Sequence, residues 1–302
     1  MGTPDFALAC LKALDASHHS VAAVVTQPDR AKGRGGRVVF SPVKEYALAR
    51  GLDILQPEKI RGAENILATF DADAIVVAAY GQILPQALLD LTKHGAINVH
   101  ASLLPKYRGA SPIQQAILCG ETVTGITIMQ MDRGMDTGDM LLKKKVCIES
   151  SDTGGSLNDK LCQAAPGVLL EALEQIEAGK IAAVPQDNSQ ASYAPLITKD
   201  MARIRWDNSP ACVVNQVRGY NPTPAAFAEL GGQLIKIWRV EAVGFAADNP
   251  GTVIKACPKD GIFVAVRGGV VRIAELTPAG GKKMASQDFV RGYKIGAGDL
   301  FL

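Results

Sequence analysis

Residues 97–110 read INVHASLLPKYRGA, and this stretch decides the fold because it places polar groups where a strand ends. Alternating apolar residues predict a short buried strand over residues 95–100, with Asn98 and His100 on one face. Pro105 then breaks the pattern, so both polar side chains stand near the carboxyl end of the strand. Because ligands bind at that end of the strands in open α/β sheets, the stretch predicts a binding or catalytic site.

Asn98 and His100 form a minimal set for acyl-transfer chemistry. An amide can donate a hydrogen bond to an oxygen that becomes negatively charged, and an imidazole can act as a general acid or base near neutral pH. The pattern N-x-H is short, however, and a structural histidine with satisfied ring nitrogens fits it equally well.

The composition fits a compact protein of two domains. The 302 residues are 47% hydrophobic and 21% charged, and a formal net charge of +2 is too small to indicate a partner. The six cysteines are scattered, without a C-x-x-C pair or a histidine at ligand spacing. We therefore expect free thiols in a reducing cytoplasm and no metal site. We see no apolar run that could span a bilayer and no leader sequence.

Strand and helix patterns alternate through the first part of the chain. Residues 21–26 and 73–79 are apolar, β-branched runs typical of buried parallel strands, and residues 123–131 alternate as a further strand. Residues 156–179 predict an amphipathic helix that is interrupted near Pro166. This order of elements predicts an α/β fold with a doubly wound, mostly parallel sheet.

A basic segment, DRAKGRGGRVVFSPVK, covers residues 29–44. Its glycines rule out a stable helix, so we expect a mobile basic loop at the carboxyl end of a strand. Arginines on a flexible backbone suit phosphate groups, whereas the alternative is a solvated charged loop. The position of this segment beside the candidate site favours phosphate binding over a solvated loop. Because the glycines match neither G-x-G-x-x-G nor the P-loop, a dinucleotide site is not implied.

An acidic loop, DRGMDTGD, covers residues 132–139. Loops rich in aspartate and glycine are usually turns or cation sites, but the register of a calcium loop is absent. A carboxylate from this loop could instead reach His100 and fix the tautomer of its ring.

A polar stretch without periodicity, residues 184–202, is typical of a linker between a first domain over residues 1–183 and a second over residues 203–302. The second domain holds short strand patterns separated by turn residues, which predict a small β-barrel. We expect its strands over residues 226–230, 233–243, 251–256, 261–266 and 270–276.

Several motifs together resemble the methionyl-tRNA formyltransferase family over the whole chain. They are GTPDF at residues 2–6, QPDR at 27–30, AYGQILP at 79–85, INVHASLLPKYRGASPI at 97–113 and MDTGD at 135–139. The patterns N-x-H, S-L-L-P-x-x-R-G and D-T-G-D are shared by the wider family that uses 10-formyltetrahydrofolate, so they indicate chemistry and donor. The basic segment and the second domain resemble the tRNA-specific members.

The resemblance implies a Rossmann-like catalytic domain followed by an OB-like, tRNA-binding domain. It implies transfer of a formyl group from 10-formyltetrahydrofolate to the α-amine of methionylated initiator tRNA, without a metal, and we expect a cytoplasmic monomer. Asn98, His100 and Asp136 are the implied catalytic residues. The implied folate pocket consists of Tyr80, Gly81, Gln82, Ile83, Leu84, Ser102, Leu103, Leu104 and Pro105, and the implied tRNA-binding residues are Arg30, Lys32, Arg34 and Arg37.

Two further residues near the site have expected roles. Because the acceptor amine itself attacks the formyl carbon, we expect Ser102 to be structural or part of the folate pocket rather than a nucleophile. We expect Arg108 to brace the site by pairing with a carboxylate.

One departure from the family concerns the start of the chain. Family members carry an apolar strand ahead of GTPDF, in the middle of the sheet, whereas this sequence begins at Met1 without it. We therefore expect unpaired strand edges and a gap in the core, and we interpret the sequence as truncated or wrongly started rather than as a variant fold.

Three alternatives remain open. A formyltransferase acting on a small amine, such as glycinamide ribonucleotide or an amino sugar nucleotide, would need neither the basic segment nor the barrel. A nucleic-acid-binding protein on a Rossmann-like scaffold would explain the basic segments but would leave Asn98, His100 and Asp136 unused. A nicotinamide dehydrogenase is disfavoured by the absent glycine fingerprint.

Overall fold

The structure, a computed structural model, describes residues 1–32, 37–244 and 249–302. The chain divides into two compact units. The first consists of Met1–Pro112, Val123–Cys147 and Asn158–Pro195, and the second of Ile113–Thr122, Ile148–Leu157 and Leu196–Leu302.

The elements are as follows. The helices are α1 (Asp5–Asp15), α2 (Pro42–Arg50), α3 (Glu64–Ala68), α4 (Gln86–Leu89), α5 (Pro112–Leu118), α6 (Gly154–Glu177), α7 (Pro210–Gly219) and α8 (Ser286–Gly292). The strands are β1 (Val24–Val25), β2 (Arg30–Lys32), β3 (Arg37–Val39), β4 (Ile54–Leu55), β5 (Ile75–Val77), β6 (Ala96–His100), β7 (Arg108–Gly109), β8 (Val123–Gln130), β9 (Met140–Cys147), β10 (Tyr193–Ala194), β11 (Phe227–Leu230), β12 (Gln233–Val243), β13 (Val253–Cys257), β14 (Gly261–Val266), β15 (Gly269–Thr277) and β16 (Met284–Ala285).

Strand β6 organises the first unit. All five of its residues are buried, which is typical of a strand covered on both faces. Asn98 and His100 are the polar residues in this otherwise apolar strand. It pairs in parallel with β5 and antiparallel with β8 in a four-stranded sheet of order β5-β6-β8-β9. β1 and β4 form a separate parallel pair. The predicted α/β class is confirmed, with antiparallel strands at one end of the sheet.

The residues before α1 lie between these two groups of strands. Gly2 bridges Ala78 in parallel, and its N–H donates to the carbonyl of Val25 at 2.9 Å. Next to this bridge, a cavity of about 420 Å³ is lined on one side by residues 21–25 and on the other by residues 73–76.

The described part of the basic segment contains two short strands. Arg30–Lys32 and Arg37–Val39 pair as the antiparallel strands β2 and β3. The prediction of a loop is therefore wrong for these six residues. The β-branched Val38 and Val39 favour extended pairing, which the sequence reading underweighted against the glycines and charges.

Local sequence explains the ends of α2, whereas packing decides the course of α6. Ser41 caps α2, with its hydroxyl oxygen accepting from the Lys44 N–H at 3.1 Å, and Gly51 ends it in the left-handed conformation at φ 67°.

α6 runs without a break from Gly154 to Glu177 with Pro166 inside it, so the predicted interruption is wrong. A proline removes one hydrogen bond of the helix, and burial of the apolar face stabilises the remaining turns.

The second unit is a curled antiparallel sheet of order β11-β12-β15-β14-β13, with β16 pairing with β15. The residues at the end of the chain bond to both outer strands. The Glu229 N–H of β11 donates to Leu302 O at 2.9 Å, and the Val253 N–H of β13 donates to Asp299 O at 2.8 Å. These contacts close the sheet, which confirms the predicted OB-like barrel.

No helix in the described parts of the chain is long and apolar enough to cross a membrane.

Candidate active site

The carboxyl end of β6 delivers two polar side chains into a buried position. Asn98 is 9% exposed and His100 is 5% exposed. The register of the sheet sets their positions, because Asn98 is paired with Val77 on β5 and His100 with Thr127 on β8. Both stand where the sequence predicted them.

The carboxylate of Asp136 connects these two residues. The Asn98 side-chain N–H donates to Asp136 Oδ1 at 3.2 Å, and Nδ1 of His100 lies 3.6 Å from Asp136 Oδ2. The same Oδ2 accepts from the backbone N–H of Gly109 at 2.8 Å. The structure therefore brings together the three residues that the sequence predicts to be catalytic.

Both ring nitrogens of His100 face oxygen acceptors. Nε2 lies 2.9 Å from the carbonyl oxygen of Tyr107, and Nδ1 faces the Asp136 carboxylate. A carbonyl oxygen and a carboxylate accept hydrogen bonds but donate none, so each ring nitrogen faces an oxygen that can accept its hydrogen. The His100 ring is thus held between two oxygens in a buried site.

The acidic loop is shaped by its own side chains. The Asp132 carboxylate accepts from the Gly134 N–H at 3.0 Å and from the Thr137 hydroxyl at 2.7 Å. Asp136 adopts a left-handed backbone conformation at φ 53°, which is uncommon for a residue other than glycine. Asp132 therefore stabilises a turn, and the strained Asp136 points its carboxylate toward β6.

Arg108 braces this loop through an amide rather than through a carboxylate. Its Nε and Nη2 donate to Oε1 of Gln186 at 3.0 and 2.8 Å, and Nη2 also donates to Oδ1 of Asn188 at 2.8 Å. Nε2 of Gln186 in turn donates to the carbonyl oxygens of Asp136 at 2.8 Å and Gly138 at 2.7 Å. The predicted carboxylate partner of Arg108 is wrong, since two neutral amides satisfy its planar donors.

Gln186 is the residue of this site that the sequence reading missed. It is 9% exposed, although it lies in the polar stretch predicted as a linker. A buried glutamine in such a stretch has no local signature, because its partners come from distant segments.

Ser102 and Leu104 lie in the interior beside the site. Ser102 is fully buried, and its hydroxyl donates to the carbonyl of Lys106 at 2.6 Å. Thr127 fixes the same turn, because its hydroxyl donates to Ser102 O at 2.7 Å and accepts from the Leu104 N–H at 3.1 Å. Leu104 packs with Met129 and Met140. These bonds shape the turn after β6, and the implied place of Ser102 in the folate pocket stays a prediction.

Residues 80–84 combine buried anchors with an exposed apolar side chain. Tyr80 and Leu84 are buried, whereas Ile83 is 81% exposed. The Gln82 side chain accepts from the Ile60 N–H at 2.8 Å and donates to Glu58 O at 3.2 Å. Burial raises the pKa of the Tyr80 phenol. The segment is therefore held at both ends and presents Ile83 outward.

The basic residues proposed for tRNA are only partly described. Arg30 is exposed at the start of β2, and the backbone of Lys32 on β2 is paired in register with that of Arg37 on β3. Arg34 lies outside the described residues. Lys44, at the end of the same segment, forms an ion pair with Asp29.

Comparisons with known proteins assign the two parts of the chain. Residues 1–173 match the formyl transferase family model, and residues 196–294 match the model of the formyl transferase C-terminal domain. The methionyl-tRNA formyltransferase of Caldanaerobacter subterraneus subsp. tengcongensis is 46% identical over 99% of this chain and 98% of that protein. That of Chromobacterium violaceum is 46% identical over 98% of this chain and 96% of that protein.

A solved structure shares the fold over both units. The N-formyltransferase from Helicobacter canadensis, in complex with folinic acid and dTDP-3-aminofucose, has a TM-score of 0.68 at 16% identity and covers 94% of this chain and 97% of its own. At this identity the likeness shows the fold alone. Because both family models match and relatives are 46% identical over almost the whole chain, the chain belongs to the formyl transferase family.

Proposed function

We propose that this protein transfers the formyl group of 10-formyltetrahydrofolate to the α-amine of methionyl-tRNA. The observation that carries the proposal is the contact of one carboxylate, Asp136, with both Asn98 and His100. Relatives at 46% identity that bear the name methionyl-tRNA formyltransferase support the acceptor.

Asn98 and His100 stabilise the negative charge that develops on the formyl oxygen during transfer. The Asn98 amide carries two hydrogens, so one remains for the formyl oxygen while the other bonds to Asp136. A protonated His100 ring, in its buried position, contributes electrostatic stabilisation. No nucleophilic side chain is required, since the neutral amine of the acceptor forms the new bond to the formyl carbon.

Asp136 has two roles in this proposal. Its carboxylate holds the His100 ring through Nδ1 and holds the Asn98 amide in position. In the proposal it also accepts the proton that the acceptor amine releases, and this proton passes to the folate nitrogen as the bond from that nitrogen to the formyl carbon breaks.

The folate and the tRNA bind to separate surfaces in this proposal. Apolar side chains suit a flat pterin ring, and the exposed Ile83 and the half-buried Leu103 and Pro105 are side chains of this kind. The basic residues Arg30, Lys32, Arg34 and Arg37 bind the phosphates of the acceptor stem. The second unit, as an OB-like barrel, provides a further tRNA-binding surface.

A comparison of acceptors tests the proposal. The protein is mixed with 10-formyltetrahydrofolate and either methionyl-tRNA, glycinamide ribonucleotide or an amino sugar nucleotide. We expect formylation of methionyl-tRNA, and we expect Arg34→Ala to raise the KM for tRNA in a salt-dependent manner. Formylation of only a small amine would retain the donor chemistry and overturn the tRNA assignment.

A further inference from the structure

Two histidines and a glutamate meet on the first unit, away from β6. They are His18 and His19, in the turn after α1, and Glu177, the last residue of α6. One ligand atom of each residue lies within 4.8 Å of the others. We propose that these three side chains bind a divalent transition metal ion, with Zn²⁺ as the expected occupant.

The separation of two of the ligand atoms fits tetrahedral coordination, and the third lies within 4.8 Å of both. Zinc binds imidazole nitrogen and carboxylate oxygen at about 2.0–2.2 Å, so neighbouring ligand atoms in a tetrahedron lie about 3.3–3.5 Å apart. His18 Nε2 and Glu177 Oε2 are separated by 3.5 Å. His18 and Glu177 side chains are 59% and 69% exposed, so both can rotate to admit an ion and leave a fourth position to water.

The backbone on both sides of the cluster is held in place. The Ser17 hydroxyl donates to Leu14 O at 2.7 Å and accepts from the His19 N–H at 3.1 Å, which fixes the turn that carries the histidines. At the end of α6, Gly179 is left-handed at φ 63°, and the Lys180 N–H donates to Gln175 O at 2.8 Å. The three side chains therefore start from fixed backbone positions.

Two features distinguish this cluster from an ordinary surface ion pair. Nε2 of His19 is buried and has no hydrogen-bond partner among the described residues. Glu177 places a carboxylate at the carboxyl end of a long helix, where the helix dipole disfavours negative charge. A bound dication offsets that charge, and two imidazoles with one carboxylate suit zinc.

The sequence predicted no metal site, since the two histidines are adjacent and Glu177 is remote along the chain. The cluster becomes visible only in the fold, where the turn after α1 lies beside the end of α6.

Calorimetric titration of the full chain with ZnCl₂ tests the proposal. The chain, whose cysteines are free, is kept reduced with a non-thiol reductant, because a thiol reductant would itself bind zinc. We expect one equivalent to bind, and we expect His18→Ala, His19→Ala and Glu177→Gln each to weaken binding at least tenfold. His94→Ala, a histidine outside the cluster, is the matched control and should bind as the unmodified chain does.

Cobalt provides a second readout. Co²⁺ in a tetrahedral site absorbs strongly in the visible range, and we expect this band in the unmodified chain and in His94→Ala but not in the three cluster variants. Absence of saturable zinc binding would overturn the proposal. Equal zinc binding by the cluster variants would also overturn it, because the ion would then be bound elsewhere.

Discussion

Oδ2 of Asp136 lies 3.6 Å from Nδ1 of His100, although one residue lies on a loop and the other at the end of a strand. Because β8 pairs antiparallel with β6, the loop after β8 begins beside Ile97 at the amino end of β6, and Asp136 reaches from this loop to Asn98 and His100. Two polar residues of one strand thereby gain the carboxylate that orients them.

Removing the charge of Asp136 tests this orientation. In Asp136→Asn, one accepting oxygen is replaced by an NH₂ group that can only donate. This group then faces a donor, either on Asn98 or on the His100 ring, so one of these hydrogen bonds is lost. We expect kcat for formylation to fall about 100-fold with little change in the KM for tRNA. Asp90→Asn, which changes an exposed carboxylate, is the control. Steady-state kinetics showing full activity in Asp136→Asn would contradict the assignment.

Gln186 is expected to support both stability and turnover. Gln186→Ala removes the shared acceptor of the buried Arg108 and releases the carbonyls of Asp136 and Gly138. We expect the free energy of unfolding in urea to fall by about 2 kcal/mol and kcat to fall with it. Gln190→Ala, an exposed glutamine in the same segment, should change neither quantity. Unaltered stability and kcat in Gln186→Ala would show that the hydrogen bonds of Gln186 to Arg108 and to the acidic loop contribute to neither quantity.

In a recombinant chain prepared to begin at Met1, the free amine of that residue is expected to make stability depend on pH. It donates to Val76 O at 2.6 Å, and burial lowers its pKa from 8.0 to about 6. Between these values the unfolded chain binds more protons than the folded chain, so the free energy of unfolding increases as pH rises from about 6 to about 8. The total increase is on the order of 2 kcal/mol. Urea titrations across this window check it, and a decrease over the window would contradict the prediction.

The cavity beside Met1 is expected to accept a strand. Four added residues, Val-Ile-Val-Ile, ahead of Met1 would lie between residues 21–24 and residues 73–76 and fill apolar space there. We expect this extension to raise the free energy of unfolding by about 3 kcal/mol and to remove the pH dependence, since an amide replaces the buried amine. A Gly-Ser extension of equal length is the control. Equal stability of the two extended chains would show that the cavity does not bind a strand.

Periodic residues could be assigned from the sequence, and residues held by distant partners could not. The strands of the barrel follow alternating apolar patterns and turn residues, so their predicted bounds lie close to those of β11–β15. Asn98 and His100 were found because a strand of period two ends beside them. Gln186 was missed, and Arg108 was given the wrong partner, because the contacts between them join segments far apart in sequence. The pairing of β2 with β3 was not predicted, because the glycines and charged residues of the segment indicated a loop and the two strands are only three residues long.

The most direct test of the central claim is the single-turnover rate of methionyl-tRNA formylation by the unmodified protein and by His100→Ala, with tRNA binding measured in parallel. The account predicts that the unmodified protein forms formylmethionyl-tRNA and that His100→Ala reduces the rate about 100-fold or more while tRNA affinity is retained. An equal rate in His100→Ala would contradict the proposal that the Asn98, His100 and Asp136 cluster performs the transfer.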